Sequence, residues 1–265
     1  MRSLISEFRE MVEEQIRYRE LLWQMTWRDL LLRYKQTVMG FGWAVFMPLV
    51  NTAVFSVIFT RVAPIDTGMP YPLFAFCGLL TWNFFASSMK FAVGSMISNI
   101  NLVTKVYFPR EVFPVSAVLV SLVDMAVASI VLVGLMVWYR VGVQWTLVFL
   151  PIVLLVEIIF CFALGLILSM ANLFYRDVKY LFEVVLTVWM FVTCVVYPVE
   201  LVKGKLGIFM ALNPMTPIID AYRDVLIRGM VPGRMFVFSA IFTFFLFLVA
   251  WYWFHRTEFK FAENI

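Results

Sequence analysis

The chain has 265 residues, 63% of them hydrophobic and only 14% charged, with a mean hydropathy of +0.91. A soluble fold of this size has too little interior for so much apolar surface, whereas a bilayer solvates apolar helices on every face, so an all-α membrane protein is expected. The formal charge of +4 is spread between apolar runs rather than clustered on one face, which argues against a nucleic-acid partner.

Residues 1–35 form the first unit. Glu7, Glu10, Glu13, Glu14, Glu20 and Asp29 rule out the apolar core of a signal peptide, so this segment is expected in the mature protein. On a helical wheel Phe8, Val12, Ile16, Trp23, Trp27, Leu30 and Tyr34 fall on one arc and Glu10, Glu13, Glu14, Arg17 and Arg28 on the other, with Arg19 out of place. This pattern predicts an amphipathic helix lying along the inner membrane surface, the alternative being a small soluble helical hairpin.

The second unit, 36–265, carries six apolar runs long enough to cross a bilayer: 37–60, 69–97, 112–139, 146–172, 180–199 and 235–254. The fifth is the shortest and begins near Glu183. With six spans both termini share a side; that side holds thirteen Lys and Arg against seven on the other, with Lys90 inside span two, so the termini are expected in the cytoplasm. The link 200–234 is long and semi-apolar. Pro214 and Pro217 forbid one continuous helix there, and IIDAYRDVLIRG sorts Ile218, Ile219, Tyr222 and Leu226 from Asp220, Arg223 and Asp224, so two short interfacial or re-entrant helices are expected.

Signals of bond-breaking chemistry are few. The sequence contains no phosphate-binding GxxxxGK[ST] loop. Its single histidine, His255, sits at the edge of span six, and Cys77, Cys161 and Cys194 lie alone in apolar runs without metal-ligand spacing, so no metal is expected. Three charges fall inside spans. Lys90 and Asp124 lie at similar depth and can pair across helices, as a packing ion pair or as part of an ion relay, and Glu157 has no evident partner. Aromatics at Trp82, Phe84, Phe85 and Trp189 are candidates for lining a sugar path, whereas Trp251, Tyr252 and Trp253 suit a membrane belt.

Residues 101–115, NLVTKVYFPREVFPV, break this apolar pattern on the side assigned to the cytoplasm. A short helix starting near Asn101 must stop before Pro109, because the residue preceding a proline avoids helical geometry. It is either a docking element or a solvated link.

Four ordered blocks carry a resemblance: LLWQMTWRDLLLRYKQTVMGFGWAVFMPL (21–49), TKVYFPREVFP (104–114), NLFYRDVKY (172–180) and NPMTPIIDAYRDVLIRG (213–229). Together they resemble the ABC-2 type exporter permeases for polysaccharides and their lipid-linked forms, over nearly the whole chain. The resemblance implies a non-enzymatic channel subunit of the bacterial inner membrane that pairs as a homodimer. It also implies two copies of a separate nucleotide-binding subunit that hold ATP and Mg, with no cofactor in this chain. By the same resemblance Asn101, Val103, Lys105, Tyr107, Phe108 and Arg110 couple to the ATPase. Arg28, Asp29, Arg33, Tyr34 and Lys35 face lipid headgroups or a lipid diphosphate, and Pro214, Pro217, Tyr222 and Arg223 belong to gate helices at the exit. The expected cargo is an undecaprenyl-diphosphate-linked glycan such as O-antigen, with capsule or teichoic acid as variants. The alternatives are export of a drug or small lipid, or an intramembrane glycosyl or acyl transferase relying on Asp124 and Glu157.

Overall fold

The computed structural model describes residues 4–35, 37–105, 108–202 and 204–258, with side chains from residue 11 onward. Every regular element among them is helical. The amphipathic segment is two helices rather than one, α1 (Leu4–Arg17) and α2 (Arg19–Tyr34). The chain turns at Tyr18, where Tyr18 and Leu21 dock on an apolar cluster containing Phe113 and Phe254, and α2 then packs along α6. Only Leu30 of the predicted α2 stripe is buried, while Trp23 and Trp27 stand exposed with their rings stacked at 6.4 Å. Aromatic rings placed so are suited to the membrane interface.

Four helices follow in the order α3 (Gly42–Val57, prolonged by a π turn to Val62), α4 (Tyr71–Ser98), the short α5 (Ile100–Lys105) and α6 (Val112–Trp138). Then come α7 (Leu150–Phe174), α8 (Val178–Val192), α9 (Lys205–Leu212), α10 (Met215–Arg223) and α11 (Arg234–Glu258). Five stretches are long and apolar enough to cross a membrane: Gly42–Val62, Tyr71–Ser98, Val112–Trp138, Trp145–Phe174 and Arg234–Glu258.

The run 180–199 behaves differently. Its helix, α8, has 15 residues, which at the usual rise is about 22 Å against the roughly 30 Å of hydrocarbon. Polar tertiary bonds end it: Asn213 Nδ2 donates to Thr193 Oγ1 at 2.8 Å, and Arg223 Nη2 donates to the Val195 carbonyl at 2.6 Å. Cys194 adopts a left-handed backbone (φ 55°), and Pro198 blocks helical geometry at Tyr197.

The centre of the bundle is α4. It is the most buried of the long helices, and α3, α6, α7, α8 and α10 all pack against it. Its low-volume positions allow this. In membranes, where apolar attraction between helices is weak, small residues permit close backbone approach. Gly165 of α7 sits against Ala92, and Gly78 lies directly under the Arg223 guanidinium. At one end of the bundle Met96, Val103, Phe108, Phe113 and Phe254 form a separate apolar cluster, while the main core runs through Phe85, Met89 and Phe160.

A Cβ on Gly78 would fall on the Arg223 guanidinium and 2.5 Å from the Val195 carbonyl, whereas one on Gly94 meets nothing within 4 Å. Gly78→Ala is therefore expected to lower stability by about 1–3 kcal/mol, the usual cost of overpacking, and Gly94→Ala to leave it unchanged or raise it by up to about 1 kcal/mol, Ala being the better helix former. SDS titration of the detergent-solubilised protein reads the difference.

Candidate functional site

Polar side chains gather at three places, and each is held by elements distant in sequence. The first lies between α2, α4 and α6. Arg28 is bonded to its neighbour Asp29 and donates to Asn99 Oδ1 at 2.8 Å, and Asp29 accepts from Ser116 at 3.1 Å. One turn on, Arg33 pairs with Asp124 and stacks its guanidinium 3.7 Å over the Phe91 ring, while the Tyr34 hydroxyl donates to the other Asp124 oxygen. Burial, reinforced by the Asp124 carboxylate, pushes the Tyr34 phenol well above its ordinary range. Lys35 ends the helix exposed, so four of the five predicted headgroup residues are engaged in anchoring α2 to the bundle.

This corrects the expected pairing inside the membrane. Asp124 is satisfied from α2, and Lys90 forms no ion pair with it. The reason is reach: α2 packs directly along α6 and delivers Arg33 and Tyr34 together, so the carboxylate is occupied from the helix end. Two clefts meet at this pair. One of about 290 Å³ is lined by Arg33, Ser98 and Asn99, and one of about 320 Å³ by Asn51, Asn83, Lys90 and Asp124.

The second place is the turn after α4. The predicted short helix is present as Ile100–Lys105, and its residues divide by exposure: Asn101, Thr104 and Lys105 face outward while Val103 is fully buried. Tyr107 lies outside the described residues. Phe108 and Arg110 are buried, so neither belongs to an exposed docking face. Arg110 instead fastens the start of α6 to the end of α11, its backbone N–H donating to Glu258 Oε1 at 3.0 Å and its guanidinium to the Glu258 carbonyl at 2.5 Å. His255 Nδ1 completes the knot, 3.6 Å from Glu111 and 3.7 Å from Glu258. The spacing of these residues in sequence, 111 against 255 and 258, hid that grouping.

The third place is at the opposite end, where α8, α9 and α10 fold back into the bundle. Arg223, 1% exposed, bonds Asp220 at 3.0 Å and the Val195 carbonyl, and its plane lies 3.6 Å over Phe74. Tyr222 donates to Glu157 at 2.7 Å, which supplies the missing partner of that buried acid. Pro217 sits within the first turn of α10, where its absent N–H costs nothing. Asn213, unremarked in the sequence, is the hub: its Oδ1 accepts from the Trp189 indole at 3.0 Å and its amide reaches Thr193. The only hint was its place just before Pro214, a turn-forming dipeptide.

The aromatic candidates separate. Trp82 and Phe85 are core residues, Phe85 packing on Phe160 and Trp189 at 5.6 and 5.2 Å. Phe84 is 2% exposed but lines the cleft that holds Lys90. Trp189 lines a 610 Å³ apolar groove between α8 and α9.

A multi-pass bundle with polar clefts among its spans and a folded-back helix pair at one end has the build of a membrane transport subunit, and the sequence comparisons agree. Residues 20–227 match the ABC-2 type transporter family, and the chain belongs to that family. It is 30% identical over 260 residues, covering 96% of this chain and 99% of the relative, to the O-antigen export system permease protein RfbA of Myxococcus xanthus. A permease of the same name from Klebsiella pneumoniae is 28% identical, with 92% of this chain and 94% of that protein covered. The polysialic acid transport protein KpsM of Escherichia coli is 23% identical, with 82% and 85% covered. As an ABC-2 permease the chain is a transport component without a catalytic domain, and its family implies an ATP-binding partner subunit.

Removing either member of the Arg33–Asp124 pair strands the other. Arg33→Met and Asp124→Asn are each expected to destabilise the protein by about 1–3 kcal/mol, with the double variant losing less than the sum. A double-mutant cycle on SDS unfolding measures this coupling.

Proposed function

We propose that this chain is the permease of an ATP-driven exporter that carries a lipid-linked polysaccharide, an undecaprenyl-diphosphate-linked O-antigen, across the bacterial inner membrane. The observation that carries the reading is the end-to-end similarity to an O-antigen export permease, 30% over 260 residues. On this reading two copies form the channel on two copies of the ATP-binding subunit. The sixth crossing is α8 completed by the buried segment after it, and both termini are cytoplasmic, in line with the excess of Lys and Arg on their side.

Coupling follows from the turn between α4 and α6. Asn101, Thr104 and Lys105 offer an exposed face to an ATPase groove, while Val103 and Phe108 root the same turn in the bundle. A push on α5 is thereby felt by α4 and α6 at once, and through the Arg110–Glu258 contact by α11. Nucleotide state biases the two arrangements of the dimer only insofar as it binds one of them better. At the other end the α9–α10 pair, held by Arg223 and Tyr222, frames the exit.

Two measurements test the reading. Deleting the gene is expected to leave lipid-linked glycan on the cytoplasmic face and remove it from the cell surface, as read by immunoblotting of intact cells. Lys105→Glu is expected to keep the protein folded and in the membrane but to abolish its co-purification with the ATP-binding subunit, with export falling to background. Normal surface glycan in the deletion strain would overturn the proposal.

A further inference from the structure

The cleft between α3, α4 and α6 holds a charge that the rest of the molecule leaves uncompensated. Lys90 is exposed to this 320 Å³ cleft and, among the described residues, makes no ion pair or hydrogen bond. Asp124, the nearby acid, is already neutralised by Arg33 and bonded by Tyr34. Lys90 also lies eight residues before the end of α4 at Ser98, about 12 Å along the helix, too deep for its stem alone to bring the ammonium to the interface. An ammonium at such depth costs about 2.5–3.5 kcal/mol on insertion scales unless it faces water or a partner. Two amides share its surroundings. Asn51 of α3 and Asn83 of α4 line the same cleft, and their side chains too are without a hydrogen-bond partner among the described residues. Trp43, 44% exposed, forms another part of the wall. A cation, two free amides and an indole in a cleft of small-molecule size, the usual range being about 300–1,000 Å³, match a phosphoryl group joined to a hydroxyl-rich ring.

We propose that this cleft is a binding site for the phosphoryl group of a prenyl-diphosphate-linked glycan, with Lys90 as its counter-charge and Asn51 and Asn83 bonding the first sugar. The site rests on the export reading above and adds a position to it: the headgroup contact lies within the spans at Lys90, beyond Arg28 and Arg33, which are tied up in anchoring. The Arg33–Asp124 pair lies between the cleft at the bundle end, which Arg33 lines, and this one, so a headgroup passing inward meets the unpaired ammonium of Lys90 beyond that pair.

The test is equilibrium binding of a radiolabelled prenyl diphosphate to the detergent-purified full chain, with the prenol, phosphatidylglycerol and inorganic pyrophosphate as competitors. The wild type is expected to prefer the prenyl diphosphate over the prenol by about tenfold or more, in keeping with a hydrogen bond to a charged group. Lys90→Met and Lys90→Gln should erase that preference while prenol binding and thermal stability stay unchanged, and Lys90→Arg should keep it. Undiminished preference in both neutral variants overturns the proposal, as does equal displacement by phosphatidylglycerol or by pyrophosphate alone. Should Lys90→Met fail to fold, the Lys90→Gln and Lys90→Arg pair decides. The outcome is separable from the export reading. Normal surface glycan in the deletion strain alongside Lys90-dependent binding sinks export and keeps the site; gene-dependent export with unchanged binding in the neutral variants does the reverse.

Discussion

The architecture depends on one buried cation. A guanidinium almost wholly removed from solvent, as in Arg223, is tolerated where most of its donors and its face are matched, and here Nη1 and Nη2 are bonded and the face is stacked, with Nε alone left over. Matching it dictates much of its surroundings. Position 78 must lack a side chain so that Nη2 can reach past α4; the helix α8 must end so that the Val195 carbonyl is free to accept; Asp220 must lie one turn back on α10; and Phe74 must present its face. The interruption of the fifth apolar run, the glycine within the most buried helix and the fold-back of α10 are consequences of the same requirement.

Seen from α4, the two ends of the molecule are one mechanical system. The helix holds Gly78 and Phe74 under Arg223 at one end and Phe91 and Asn99 against α2 at the other, and α5 follows it directly. Polar bonds to neighbours punctuate it: Tyr71 donates to the Val196 carbonyl at 2.8 Å, and Asn172 of α7 donates to the Val93 carbonyl at 2.8 Å. Asn172 also accepts from the Lys179 amide at 3.2 Å, linking the α7–α8 turn to the same helix. A close-packed helix carrying such fixed contacts moves as a unit, because packed interiors transmit displacement rather than absorb it.

How much of this was written legibly in the sequence follows from which physics each feature uses. The long spans, the position of the short helix before Pro109 and the α9–α10 break at the prolines are local or periodic signals, and they could be read directly. The truncation of α8 was not legible: after Glu183 the run VVLTVWMFVTCVVYPV carries no charge, and what ends the helix is a set of acceptors and donors, Asn213 and Arg223, arriving from a later part of the chain. The partners of the buried acids were missed for a like reason. Depth along a helix says which charges are level with one another, so Lys90 and Asp124 looked paired; it does not say which face each occupies or that α2 brings two groups to Asp124. Arg110 was misplaced because a basic residue beside a cytoplasmic turn reads as exposed, while its companions Glu111, His255 and Glu258 lie up to 148 positions away.

The charges within the spans therefore sort by what they touch rather than by their number. Glu157 is tied to Tyr222 and Asp124 to Arg33 and Tyr34, and both contacts join a span to a shorter helix, α10 in one case and α2 in the other. Those are fastenings, and a fastening needs its partner within the same chain. Lys90 has no such partner among the described residues, yet it shares a cleft with amides that are equally free. At this depth an unpaired polar group carries a desolvation cost unless it faces water or a polar partner, and Lys90 and Asn51 both open to the cleft. Three of them in a single cleft are tolerated because water or a polar group outside this polypeptide can fill it, and that is the physical difference between a residue that holds a transporter together and one free to meet what it transports.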